Sequence, residues 1–83
     1  MNGESKIKSD SHISLGKNIK TLRVARGLSQ ASVIREMQLL GCATTKQNYS
    51  KYEKDLAHIS ASELVAISKI FDVTLDFLFV PEK

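Results

Sequence analysis

The side chains best suited to recognition in this 83-residue chain lie in one stretch, from Thr44 to Asp55. Thr45 is a candidate N-cap, because its hydroxyl can accept from a free backbone N–H in the first helical turn. On a wheel of about 100° per residue, Tyr49 and Tyr52 fall on one side. Lys46, Gln47, Ser50, Lys51 and Lys54 fall on the other. This second face carries ammonium, amide and hydroxyl groups and no acid. Such groups donate to phosphate oxygens and hydrogen-bond to base edges in a duplex major groove. The alternative is a solvated helix face with no partner.

Other chemistries find little support. His12 and His58 are isolated, and Cys42 is the one cysteine. No metal-ligand spacing exists, no internal disulfide can form, and a reducing compartment fits. There is no Ser/His/Asp or Cys/His constellation and no phosphate-binding glycine loop, since the four glycines are scattered. We therefore expect no enzyme, no cofactor and no metal. No apolar run approaches the ~18 residues of a membrane span. Met1 to Asp10 lacks the apolar region of a signal peptide. A cytoplasmic protein, nucleoid-associated through DNA, is expected.

The chain length allows one small domain, and the 42% hydrophobic content suffices for a core. The formal charge of +3 is unevenly spread. Residues 1–28 and 29–58 are net basic, whereas 59–83 are net acidic. The basic end and the Lys46–Lys54 face can share one side, with the acidic end turned away.

The remaining elements would position that stretch. Residues 1–12 are polar and are expected to be a disordered arm, with Lys6 and Lys8 available to lie along a DNA backbone. Ser14 is a candidate cap for a first helix with Leu15, Ile19, Leu22 and Val24 or Ala25 on its apolar stripe. Gly27 stops it in the left-handed region. Ser29 caps a second helix from Gln30, with Val33, Ile34, Met37 and Leu40 or Leu39 inside, and Gly41 ends it. Cys42-Ala43-Thr44 leads to the central helix, after which Asp55 takes a left-handed conformation. Leu56 to Ile59 reads as a loop. Ser60-Ala61-Ser62-Glu63 is a capping box for a fourth helix with Leu64, Ile67, Ile70 and Phe71 inside. Asp72 breaks that helix, Thr74 caps a last one over Leu75 to Phe79, and Pro81 stops the chain. The fold class is thus all-α: five short helices and no convincing strand. The helical domain spans 13–80, with 81–83 as a tail.

Four segments in this order resemble the lambda-repressor/Cro-like (XRE-type) helix-turn-helix domains: Leu15-Gly16-Lys17-Asn18-Ile19-Lys20-Thr21-Leu22-Arg23, Gly27-Leu28-Ser29-Gln30, Tyr49-Ser50-Lys51-Tyr52-Glu53, and Phe71 to Leu78. The resemblance covers roughly Leu15 to Phe79. It implies that the second and third helices form the helix-turn-helix and that the third enters the major groove. It implies that Gln30 meets a phosphate and braces the reading residue. Lys46 and Gln47 would open the reading helix, with Ser50 and Lys51 one turn later. Arg23 and Glu53 would form a salt bridge tying the first helix to the third. Tyr49 and Tyr52 match core positions, and each hydroxyl should find a partner or reach water. The span from Gln30 to Thr45 exceeds the common family pattern, so a longer second helix and a looser turn are expected. Asp55 stands where the family usually has glycine.

The expectation is a sequence-specific double-stranded DNA-binding transcriptional regulator, a repressor, reading the major groove with residues 46–54. Its DNA contacts would be Ser29, Gln30, Thr45, Lys46, Gln47, Ser50, Lys51 and Lys54. Gln47 suits an adenine edge, and Lys46 or Lys51 a guanine; for Lys51 and Lys54, phosphate contact or plain solvation is the alternative. A homodimer through the C-terminal helix is expected, with Phe77 outward at the interface or, alternatively, an isolated surface aromatic. The competing function is a protein-interaction module of the same fold, an antitoxin or a partner-binding regulatory subunit.

Overall fold

The computed structural model describes residues 6–7 and 14–79. It contains β1 (Lys6–Ile7), α1 (Leu15–Ala25), α2 (Gln30–Leu39), α3 (Lys46–Glu53), β2 (Ile59–Ser60), α4 (Ala61–Phe71) and a terminal 3-10 helix (Leu75–Phe79). The rest of the 1–12 arm, Pro81 and the 81–83 tail lie outside the described residues. Among the described residues the architecture is helical, with four α-helices; the fifth expected helix is a 3-10 turn.

Local chemistry sets most boundaries. Ser29 accepts from the N–H of Ser32, and Thr45 from that of Asn48. Ser60 and Glu63 form both halves of a capping box. Each arrangement satisfies backbone donors that a helix start leaves free. Gly27 ends α1 at φ +68, while Asp55 and Asp72 take φ 58 and 55 after α3 and α4. Asp and Asn tolerate this region because their short polar side chains bond locally. Ser14 behaves differently from expectation. It precedes α1 but makes no side-chain cap; its hydroxyl donates to Asp55 Oδ2 at 2.9 Å. Asp55 Oδ1 accepts from the N–H of Gly16 at 2.8 Å. A carboxylate from the end of α3 thus serves the start of α1.

The core is built from Leu15 and Ile19 of α1, Val33, Ile34 and Met37 of α2, Tyr49 and Tyr52 of α3, Ile59, four residues of α4 and Leu78. Leu22, Leu28 and Ile70 pack against it from half-buried positions. Asn18 Nδ2 donates to the Leu78 carbonyl at 2.9 Å, which holds the 3-10 helix on α1.

Three expectations are corrected. Val24 is 60% exposed, and Ala25 is exposed too. Val24 lies about 180° around the wheel from Leu15, so the stripe ends at Leu22. Leu39 and Leu40 are 75% and 50% exposed. Leu39 lies off the Val33–Met37 face, and Leu40 is the C-cap, where the chain leaves the helical path. Lys6 and Ile7 were expected to be disordered, and no strand was expected. They pair antiparallel with Ser60 and Ile59 respectively. Extended backbone ahead of α4 offers unpaired N–H and C=O groups, and a two-residue ladder is too short to leave a period in the sequence.

Gly16 marks a close approach of α1 to α3. A Cβ there would run into the Tyr52 carbonyl at the end of α3. Gly16→Ala should therefore destabilise the domain by about 2 kcal/mol or more, outweighing alanine's ~1 kcal/mol gain in helix propensity. Urea unfolding monitored by circular dichroism measures this; a neutral or stabilising result would show that α1 and α3 can separate without cost.

Candidate nucleic-acid interface

Helix α3 sits on its two tyrosines. Tyr49 is fully buried and Tyr52 nearly so, with rings edge to face at a centroid distance of 6.4 Å. Their burial turns the opposite side of the helix outward. Lys46, Gln47, Lys51 and Lys54 are exposed and Ser50 is half-buried. These five residues line one open groove, together with Leu56. Among the described residues no acid lines it. Neither α2 nor α3 has an acid in its first turn, so the partial positive charge of each helix start has no carboxylate in that turn.

Leu56 was read only as loop. It is 69% exposed, and its N–H bonds the Lys51 carbonyl at 2.9 Å. With Asp55 left-handed, this closes the helix end and fixes Leu56 beside the lysines. The left-handed Asp55 was the available sequence signal.

Ser29 and Thr45 lie at the starts of α2 and α3, and both hydroxyl groups serve as caps. Gln30 turns inward: its Nε2 donates to Glu53 Oε1 at 3.0 Å. In the free protein its side chain therefore braces α3 through Glu53, whereas the resemblance gave it a phosphate as well.

Arg23 and Glu53 form a bidentate pair. Arg23 Nε reaches Glu53 Oε2 at 2.7 Å, and Nη2 reaches Oε1 at 3.2 Å. The Arg23 Nη1 donates to the Leu28 carbonyl at 2.9 Å. The Glu53 side chain is 3% exposed. Burial raises its pKa, but hydrogen bonds from Arg23 and Gln30 outweigh this and hold it below the ordinary carboxylate value. Arg23 is held above its usual value chiefly by the hydrogen bond to Glu53.

The tyrosine hydroxyls differ. Tyr52 donates to Glu63, at 2.9 Å to Oε1. Burial, reinforced by that carboxylate, pushes its pKa up to about 12. Tyr49 was expected to find a partner or water, yet its hydroxyl is buried and has no hydrogen-bond partner among the described residues. It lies near the Arg23–Glu53 pair, where burial raises its pKa well above the phenol range, so it stays neutral.

Among the described residues no group of His, Cys, Asp and Glu could hold a metal ion, and no helix is long and apolar enough to cross a membrane.

These features fit a domain of helix-turn-helix class, and the comparisons agree. The helix-turn-helix family profile matches residues 19–78. The chain belongs to that family, in its lambda-repressor-like, XRE-type form, a class of DNA-binding domains and not of enzymes. It is 38% identical over 65 residues to an uncharacterised HTH-type transcriptional regulator of Rickettsia conorii, covering 78% of this chain and 48% of that protein. A regulator of the same description from Rickettsia prowazekii is 36% identical over 65 residues, covering 78% and 46%. The chain thus spans about half the length of the curated relatives it matches. In fold it is similar to the restriction-modification controller protein C.AhdI from Aeromonas hydrophila, with a TM-score of 0.69, 20% identity, and coverage of 78% of this chain and 91% of that one.

The lowered Glu53 pKa sets a pH dependence. Its contribution is fully present above the unfolded value of 4.5 and is lost as pH falls through the lower folded value. Stability measured by urea from about pH 6 to about pH 3 should therefore fall with acid, and Glu53→Gln should flatten the fall. An unchanged slope in the variant would mean that Glu53 is not held ionised by its partners.

Proposed function

We propose that the chain is a sequence-specific double-stranded DNA-binding transcriptional regulator, a repressor acting in the cytoplasm on an operator. The observation that carries this reading is the acid-free groove of α3, lined by Lys46, Gln47, Ser50, Lys51 and Lys54. The tyrosines and the Arg23–Glu53 pair hold it rigidly from beneath. The docking unit is the 13–80 segment, with α3 lying in the major groove. Gln47 reads an adenine edge and Lys46 or Lys51 a guanine, while Ser50 adds a shorter-range hydrogen bond. Ser29 and Thr45, at two helix starts, and Lys54 meet phosphates. Gln30 completes the brace. The descriptions of the Rickettsia proteins as transcriptional regulators support the reading.

The test is binding of duplexes selected from a random pool and of random duplex, each at two salt concentrations. Affinity should fall steeply with salt. Gln47→Ala should cost about 1–3 kcal/mol on the selected duplex and relax its sequence preference. Lys54→Ala should weaken binding evenly across sequences. Equal, sequence-blind losses from both variants would remove Gln47 from the reading role. Absence of binding at low salt would favour a protein partner.

The same reading includes a homodimer that sets two reading helices one DNA turn, ~34 Å, apart. Phe77 and Leu75 are 50% and 41% exposed, and Phe77 opens onto a hollow lined by Asn18, Thr21 and Leu22. Phe77→Ser should shift sedimentation from dimer to monomer while preserving helicity. A monomeric wild type at high concentration would exclude this interface.

A further inference from the structure

The connection from α2 to α3 covers residues 40–45 and contains Gly41 at φ +94. Such a span could leave the start of α3 loosely placed, yet its last internal residue is pinned from two sides. Thr44 is 2% exposed. Its carbonyl accepts from Gln38 Nε2 of α2 at 3.0 Å. Its hydroxyl donates to Glu63 Oε2 of α4 at 2.6 Å.

The same carboxylate takes the Tyr52 hydroxyl, from the last turn of α3, at 2.9 and 3.0 Å. It also accepts from the N–H of Ser60 at 3.1 Å and from its hydroxyl at 2.8 Å. Glu63 therefore holds the residue just before the Thr45 cap and a residue seven positions beyond it. Both attachments lie on the inner side of α3. A rod fixed near both ends to one charged group can neither swing nor roll about its axis without breaking a charge-assisted bond. Glu63 is itself anchored in the first turn of α4 by the capping box.

We propose that Glu63 is a positioning residue for DNA reading: through Thr44 and Tyr52 it sets the angle and rotation at which α3 presents Gln47 and its neighbours to the groove. This rests on the function proposed above. Glu63 contacts no nucleic acid; it acts through α3. Base readout depends on the aim of each side chain, whereas phosphate attraction tolerates a tilted helix. Loss of the clamp therefore removes sequence preference ahead of affinity.

The test uses the full chain with Thr44→Val and Tyr52→Phe, which delete a hydroxyl without changing charge, and Thr44→Ser, which keeps one. Affinities for a duplex selected by the wild type and for random duplex of equal length are measured well below each melting temperature. The two deletions should each lower the ratio of selected to random affinity by about tenfold, the scale of a hydrogen bond to a charged group. Random-duplex binding should stay within twofold, on the order of experimental scatter, and Thr44→Ser should retain the wild-type ratio. A purely structural role would instead lower the folded fraction and both affinities together. An unchanged ratio in Thr44→Val and Tyr52→Phe, with or without a lower melting temperature, overturns the proposal. A wild type that selects no sequence overturns the DNA reading itself, and the proposal with it.

Discussion

The structure depends first on the buried carboxylate of Glu53. It ends α3, accepts two bonds from Arg23 of α1 and one from Gln30 of α2, and joins three helices. A charge this buried is tolerated only with such partners. The pair adds direction to a largely apolar core, because hydrogen bonds specify angle where packing mainly specifies distance. Arg23 extends the constraint to the Leu28 carbonyl and so to the turn between α1 and α2.

A second carboxylate does the corresponding work on the other flank. Glu63 joins the approach to α3, its last turn and the start of α4. A third, Asp55, caps α1 from the far end of α3. The helix with the polar outer face is thus held by acids on its inner and terminal sides, while its exposed groove is free of them. Negative charge is used where it builds the scaffold and is absent where a polyanion would approach.

Local signals were legible in the sequence because they depend on neighbours. Ser29, Thr45 and the Ser60–Glu63 box act over three residues, and Gly27 and Asp55 need only their own φ. The division of α3 into a tyrosine side and a polar side follows from helical period. Contacts between distant residues were not legible from pattern alone. Ser14 looks like a cap, but its hydroxyl goes to Asp55; Gln30 looks surface-directed but turns to Glu53. The Glu63 bonds to Thr44 and Tyr52 appear only once the start of α4 is brought within reach of those residues. Apolar type without period misled at Val24 and Leu39, Leu40 fits the period but falls at the C-cap, and the β1–β2 pair was too short to signal itself.

We propose that the outer face of α3 meets duplex DNA. Amide chemical-shift mapping of the isotope-labelled protein against a selected duplex tests it most directly. The largest changes should fall from Thr45 to Leu56 and at the start of α2, with α4 and the 3-10 helix little affected on their outer sides. Changes confined to α4 and the 3-10 helix, with Lys46, Gln47, Ser50 and Lys51 unmoved at saturation, would contradict it.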